Sequence, residues 1–310
     1  RTNKIVCALL VTLFSGVAFA QNNTNSPYTR YGYGQMSDQV TGRSKAMGGV
    51  SYALRDNSQI NTLNPASYTA MDSLTFLFEG GVSFQNTNFS NGETKLNAKN
   101  SSFDYLVMQF RLKKWAAMSM GVLPVSNRGY NFAESRMNDN PEASHVVNYV
   151  GSGGLHRAYA GIAFNPIKGL SVGANASYLW GTLKHDINIT FPNSSSSNYQ
   201  TYRKKNIILN GIKLDFGAQY MLPLDKKRES IFGAVFSPKM SVSNDIEVEN
   251  FDNTLEIDKY SSKFELPNSY GFGVAYNMDK RLLLAMDVMH EKWSKAKFED
   301  KYRMVDQTRV

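Results

Sequence analysis

Leu74-Thr75-Phe76-Leu77-Phe78-Glu79-Gly80-Gly81-Val82-Ser83-Phe84-Gln85 separates into two sets of side chains. The even positions carry Leu74, Phe76, Phe78, Gly80, Val82 and Phe84, and the odd ones Thr75, Leu77, Glu79, Gly81, Ser83 and Gln85. Successive side chains of a β-strand point to opposite faces, so a rhythm of two builds one apolar face and one mixed face. The rhythm recurs. Leu106, Met108, Phe110 and Leu112 alternate with Val107, Gln109 and Arg111; Met118, Met120 and Val122 with Ser119 and Gly121; Ala160, Ile162 and Phe164 with Tyr159, Gly161 and Ala163. Val172 to Trp180, Ile212 to Tyr220, Phe232 to Phe236 and Tyr270 to Tyr276 repeat it, and Leu282, Leu284, Met286 and Val288 open a ninth segment, with Asp287 on its other face.

The connections sort by length. Short ones fall at Lys113-Lys114, Asn165 to Gly169, Pro223 to Glu229 and Asp279 to Arg281; long polar ones are expected at Asn91 to Asn100, Ser126 to Asn148, Pro192 to Arg203 and Glu247 to Ser262. Short turns at one end and long loops at the other are the pattern of outer-membrane barrels, whose short turns are periplasmic. A soluble β-sandwich also alternates, but nothing in its architecture sorts loops by length or puts Gly, Ser and Lys on an enclosed face. The fold class is therefore all-β, an antiparallel transmembrane β-barrel. The heavy aromatic load, 17 Tyr and 18 Phe, fits that reading. Mean hydropathy below zero does not oppose it, because a barrel hides its apolar residues in alternation. Nine segments is an odd number where single-chain bacterial barrels close with an even one. The last stretch, Asp300 to Val310, is polar, so carboxy-terminal strands are expected to be missing.

Three parts are expected along the chain: a signal peptide over 1–20, an amino-terminal hatch over 21–72 and the barrel over 73–310. Arg1 and Lys4 precede an apolar run from Ile5 to Phe14, and Ala18-Phe19-Ala20 supplies a small-x-small cleavage pattern. The run is too short to span a bilayer as a helix, which takes roughly 20 residues. Cleavage after Ala20 removes Cys7, the chain's one cysteine, and with it any disulfide or thiolate metal site. It also leaves 32 Lys and Arg against 26 Asp and Glu, a mild net charge of +6. Basic runs such as Lys226-Lys227-Arg228 read as solvated turns, and no nucleic-acid partner is expected.

Residues 21–72 do not alternate; a helix is expected from about Arg43 to Leu54. Here Arg43-Ser44-Lys45-Ala46-Met47-Gly48-Gly49-Val50, then Asp56, then Asn64-Pro65-Ala66, and later Leu266-Pro267-Asn268-Ser269-Tyr270-Gly271, stand in one order. In these stretches the sequence resembles the long-chain fatty-acid transporter family of outer-membrane proteins, as a divergent member. The resemblance implies a fourteen-strand barrel, about nine strands of it present here, plugged by a small hatch. It implies uptake of hydrophobic small molecules such as long-chain fatty acids by passive diffusion, with lateral release through the wall. Arg43, Met47, Gly48, Gly49, Asp56, Asn64, Pro65 and Ala66 are then the hatch or ligand-binding residues. Arg43 and Asp56 are expected to pair with the wall, Gly48-Gly49 to allow positive φ or close approach, and Pro65 to forbid helix continuation. Lumen-facing Gly173, Gly181, Gly217, Gly271 and Gly273 would leave room for a ligand or bend the wall. The sequence departs from the family by placing Ser44-Lys45 between Arg43 and Ala46.

No enzyme is expected. The four histidines, His145, His156, His185 and His290, show no metal-pair spacing. His145 and His156 beside Ser144 and Glu142 read as loop residues before they read as a hydrolase site. Gly151-Ser152-Gly153-Gly154 lacks the Lys of a phosphate loop. No cofactor and no metal follow. The expected partners are outer-membrane lipid and a hydrophobic small molecule. A second functional reading is a non-transporting companion barrel in an outer-membrane assembly or secretion complex, with other envelope proteins as partners.

Overall fold

The computed structural model describes residues 24–73, 75–90, 92, 95–139, 144–191, 200–252, 254–279, 281–302 and 304–310. The expected signal peptide lies outside the described residues. After a two-residue strand β1 (Gln35–Met36) and a short helix α1 (Gly42–Ala46) come β2 (Phe76–Ser90), β3 (Lys95–Lys113), β4 (Ala116–Arg136), β5 (His145–Ile167), β6 (Leu170–Thr190) and β7 (Gln200–Pro223). Then follow β8 (Arg228–Ser237), β9 (Met240–Asp252), β10 (Thr254–Tyr260), β11 (Phe264–Leu266), β12 (Ser269–Met278), β13 (Leu282–Glu291) and β14 (Gln307–Arg309). Every ladder is antiparallel, and the 14 strands make one sheet.

Among the described residues the wall crosses nine times. The short end of β7, Phe216–Pro223, pairs with β8, and its long end, Tyr202–Asn210, pairs with β9. Strands β8 and β9 are thus one crossing broken at Pro238, and β10, β11 and β12 form the next, broken at Pro267. A proline has no N–H to donate to a ladder, so each break sits where the sequence removes a rung. The two breaks are neighbours, joined by the Lys239 amide donating to Asn268 Oδ1 at 2.7 Å.

The even-numbered apolar rows point away from the interior and stay exposed. Phe76, Phe78, Val82 and Phe84 do so on β2, Ile212, Leu214 and Phe216 on β7, Phe272 and Val274 on β12, and Leu282, Leu284 and Met286 on β13. A wall that leaves Phe76 60% and Ile212 69% exposed is built for an apolar solvent. No described helix is long and apolar enough to cross a membrane.

Strand length departs from the sequence reading. Most of the expected long loops are strand: β3 begins at Lys95, β4 runs on to Arg136, β5 starts at His145, and β9 and β10 form a hairpin inside Glu247 to Ser262. A tilted transmembrane strand needs about 9–11 residues, whereas β7 has 24. Above the lipid both faces meet water, the alternation that marks a strand disappears, and sequence reading stops there. Trp293, Ala296 and Phe298 turn into the interior, and β14 returns to pair with the end of β13.

The interior is filled at two levels. Toward the short turns, Ile60 and Tyr68 of the amino-terminal segment pack with Val107, Ala117, Leu123, Tyr159 and Ala163 of the wall. Toward the long extensions, Tyr33, Leu179, Ile207, Ile246, Phe264 and Trp293 form the largest buried cluster. Tyr33 stacks edge-on against Phe298 at 5.0 Å and donates its hydroxyl proton to the Glu265 carbonyl at 3.0 Å. Phe216 lies on the outward face in mid-wall. Replacing it by Arg is expected to lower the stability of the folded barrel in lipid by about 2–4 kcal/mol. Urea titration of protein folded into vesicles measures this, and an unchanged midpoint would remove Phe216 from the lipid face.

Candidate functional site

The amino-terminal segment sits inside the curve of the sheet because the wall offers it two flat seats. Gly173 on β6 stands directly opposite Gly217 on β7, and Gly233 on β8 directly opposite Gly273 on β12. A Cβ at Gly217 would lie 2.1 Å from Asn64 Oδ1, and one at Gly173 2.7 Å from the Pro65 carbonyl carbon. A Cβ at Gly233 would lie 1.9 Å from the Tyr52 oxygen, and one at Gly273 2.9 Å from the Ala53 amide nitrogen. These lumen-facing glycines therefore leave room for the chain's own backbone, not for a ligand. Gly271 takes the Tyr52 ring, and Gly181 lies against the neighbouring strand at Gly154.

Polar contacts lock the two seats. Asn64 accepts from the Ala66 amide at 3.1 Å, starting the 3-10 helix Pro65–Ala70. Its Nδ2 donates to the Tyr52 carbonyl at 2.6 Å and to the Ala218 carbonyl at 3.3 Å. Gln219 Nε2 donates to the Tyr52 and Leu54 carbonyls, each at 3.0 Å. Arg55 donates to Ser171 Oγ at 2.8 Å and to Thr69 Oγ1 at 2.9 Å. Burial first, and the charge of Arg111 second, push the Arg55 guanidinium down to about 10, so it stays charged at neutral pH. On the far side, Asp287 Oδ2 accepts from the Ser51 amide at 2.5 Å and the Tyr52 amide at 2.8 Å, and Glu79 Oε1 accepts from the Ile60 amide at 2.6 Å.

The eight residues singled out in the sequence fall into three places. Asn64, Pro65 and Ala66 are buried against the wall. Gly48 and Gly49, at φ +77° and +93°, end α1 after Ala46, which is why the helix expected to reach Leu54 does not. Nothing lies within 4 Å of a Cβ built on either, so positive φ and not close approach accounts for them. Arg43 and Asp56 do not reach the wall as expected. They pair with each other, Nη1 to Oδ2 at 2.5 Å, beside Ser58. Burial alone would raise the Asp56 carboxyl, but hydrogen bonds from Ser58 and the charge of Arg43 outweigh it and hold the group below the usual carboxylate range.

Two cavities flank the segment. One of about 520 Å³, on the short-turn side, is lined by Arg43, Met47, Asp56, Asp72, Glu229 and Asn277 among others. The other, about 670 Å³, lies between the two packed levels; Met47, Gly48 and Gly49 line it from the segment. From the wall it receives Arg157, Lys213, Asp215, Ser237, Asp287 and Glu291, and it reaches the proline break at Leu266-Pro267. Arg157, 2% exposed, donates from Nη1 to Asp215 Oδ2 at 3.1 Å, and Asp215 also takes Lys213 and the Ser237 hydroxyl. Among the described residues, the Nε and Nη2 of Arg157 have no hydrogen-bond partner. None of these wall charges was singled out in the sequence as a site residue. The signal available was charge on the face opposite the lipid rows: Lys213 and Asp215 opposite Ile212 and Leu214, and Asp287 opposite Met286 and Val288. Among the described residues no cluster of His, Cys, Asp and Glu is arranged to hold a metal.

Comparison with known proteins gives two findings. The model of the BamG family matches residues 2–308. Among solved structures, the toluene transporter TodX of Pseudomonas putida is similar at TM-score 0.55 and 15% identity, over 84% of this chain and 72% of that one. The CymD monoaromatic hydrocarbon channel is similar at TM-score 0.51 and 17% identity, over 81% and 68%. The fold is thus that of hydrophobic-compound channels. No curated protein matches the chain.

If the glycine pairs seat the segment, Gly233→Val forces the Tyr52 carbonyl off the wall. Overpacking of this kind costs about 1–3 kcal/mol. Limited proteolysis of the folded barrel should then cut within 24–72 where the parent protein resists, while the wall stays heat-modifiable on a gel. Equal resistance of parent and variant would refute the seat.

Proposed function

The chain belongs to the BamG family, and on that premise we propose that it is an outer-membrane barrel with a filled interior, working as a companion of other envelope proteins and not as an open conduit. It reaches the membrane by export behind the segment 1–20, and lipid contacts the exposed apolar rows. Residues 24–72 form a fixed plug in which Asn64, Pro65 and Ala66 seat the backbone, Gly48 and Gly49 turn it, and Arg43, Met47 and Asp56 close its short-turn side.

The observation that carries this reading is the packing of the lumen at both levels. A hydrophobic solute crossing from end to end would have to displace the Tyr33, Phe264 and Trp293 cluster and then the segment seated on the glycine pairs. Each buried hydrogen bond broken there without replacement costs about 1–3 kcal/mol. The space between the levels carries four cations, Lys45, Arg157, Lys213 and Arg309, and four anions, Asp38, Asp215, Asp287 and Glu291. An alkyl chain there would have to desolvate charges with nothing to offer them.

A second reading has its own support. Passage of hydrophobic small molecules such as long-chain fatty acids, with lateral release, fits the likeness to a toluene transporter and a hydrocarbon channel. The unpartnered Nε and Nη2 of Arg157, in a cavity that meets the wall at its proline break, favour a ligand with an acidic head.

Purification from native membranes in mild detergent separates the two. The companion reading expects a complex holding other envelope proteins in fixed ratio, stable to gel filtration. A lone barrel with a lipid-like molecule recovered from its lumen by mass spectrometry would overturn it in favour of transport.

A further inference from the structure

The rim of the wall at the short-turn end is unequally charged. Three turns in succession carry Lys113 and Lys114 between β3 and β4, Lys168 between β5 and β6, and Asp225, Lys226, Lys227 and Arg228 at the β7–β8 turn. Asp225 is spent on its own turn: Oδ1 accepts from the Lys227 and Arg228 amides, each at 2.8 Å, and Oδ2 from Arg228 Nε at 2.5 Å. Lys113, Lys114, Lys168, Lys226 and Lys227 are exposed, and among the described residues none of the five is in an ion pair. Successive turns are two strands apart, about 10 Å at the usual spacing, so these cations are spread along about 20 Å of rim. Strands β3 to β8 are each paired on both sides within this chain, so a strand added at an edge of the sheet would not cover the turns.

Exposed apolar side chains accompany the charges on the outward face. Trp115 stacks at 5.7 Å on Phe164, the next member of the outward row of Ala160 and Ile162. Ile167 is paired with Leu170, and Leu170 with the outward Tyr220, whose row Leu222 continues. Lys113 Nζ lies 5.8 Å from the centre of the Trp115 ring. A lysine laid over a lipid-side aromatic ring keeps its stem on apolar surface and its charge at headgroup level. The axis side of the same end differs, because Asp56, Asp72 and Glu229 stand there with Arg43 and Arg55. The unbalanced positive charge belongs to the perimeter.

From these features we infer that the short-turn rim binds the phosphate groups of anionic phospholipids in the periplasmic leaflet, with the five lysines at phosphate level and Trp115, Ile167 and Leu222 in the interface beside them. The inference is independent of what the lumen holds. The leaflet follows from the short turns, which are periplasmic. A lipid surface accounts for the cations and for the apolar row together, whereas an acidic protein face docked across this end would meet the carboxylates on the axis side and leave Trp115 facing outward without a role. Each Lys near an anionic membrane surface strengthens binding about fivefold, and its reach is a Debye length, about 10 Å at 0.1 M salt. That reach matches the spacing of the turns, so all three act on one stretch of lipid.

Trp115 itself is the reporter. The chain's other tryptophans are Trp180 and the buried Trp293, so Trp180→Phe leaves Trp115 as the one exposed to lipid. This barrel is placed at low salt in phosphatidylcholine vesicles containing either dibrominated phosphatidylglycerol or dibrominated phosphatidylcholine, and quenching of its fluorescence is measured. The phosphatidylglycerol is expected to bind beside Trp115 about tenfold more tightly than the phosphatidylcholine. Combining Lys113→Gln, Lys114→Gln, Lys168→Gln, Lys226→Gln and Lys227→Gln should bring the two lipids to parity, and the matching set of Lys→Arg changes should keep the preference. Heat-modifiable migration on a gel shows that each variant folds. Equal quenching by the two lipids in the barrel with all five lysines would overturn the inference, as would a preference that survives the glutamine set. A preference abolished by inorganic phosphate at matched ionic strength would assign the lysines to a free anion instead. Equal quenching together with loss of co-purified envelope proteins from the glutamine set would assign them to a protein.

Discussion

A strand in a membrane wall has two faces that answer to different solvents, and everything inside this molecule follows from the second one. The outer face meets hydrocarbon and needs nothing beyond apolar side chains. The inner face carries what is left, and a 14-stranded sheet curled on itself has far too much of it to leave unsatisfied. In a wide porin water fills that role. Here the chain uses its own first fifty described residues. Asn64, Gln219, Asp287 and Glu79 each place a side-chain donor or acceptor on a backbone group across the gap between segment and wall. The inner face thus works as the complement of one irregular peptide.

That complementarity needs flatness as well as hydrogen bonds, and the two requirements meet in the glycine pairs. An irregular backbone brings carbonyl and amide groups close to a sheet only where the sheet has no Cβ. Gly173 opposite Gly217 admits Asn64 and Pro65, and Gly233 opposite Gly273 admits Tyr52 and Ala53. The two seats are coupled through Asn64, which is held by the first and donates to the Tyr52 carbonyl that occupies the second. A segment gripped at two linked points on four strands is a rigid body for most purposes, although it contains only a five-residue α-helix and short 3-10 turns.

The sequence carried the lipid-facing half of this architecture and little of the rest. Alternation exposes a strand only where one face meets an apolar solvent and the other does not. Phe76, Phe78 and Val82 therefore announced β2, while Lys95 to Asn100, strand in fact, read as loop because Leu96 is the one large apolar side chain among its polar residues. The Asn64-Pro65-Ala66 run was legible as a local stop signal, since proline and a capping Asn act within a few residues. What Arg43 and Asp56 touch was not, because their partner is decided by a fold in the segment that Gly48 and Gly49 create with positive φ. Arg157, Asp215 and Lys213 come from two strands far apart in sequence, and only the register between β5, β6 and β7 brings them to one point.

That charged cluster bears on why the filled lumen is stable where an empty one would not be. A buried ion pair commonly gains little over well-packed apolar residues, since desolvation offsets the attraction. Asp215 is kept within reach of Arg157, Lys213 and Ser237 together, so both its oxygens are engaged, while among the described residues Arg157 Nε and Nη2 have no hydrogen-bond partner. The cluster lies in mid-wall, between the seated segment below and the Tyr33 cluster above, where the lumen is neither filled by protein nor open at its ends. A charged, balanced lining there favours water over apolar contents, since charges that lose hydration without a partner are costly to bury. The two faces of the wall thus carry separate loads: the outer one presents apolar rows, and the inner one holds the chain's own backbone.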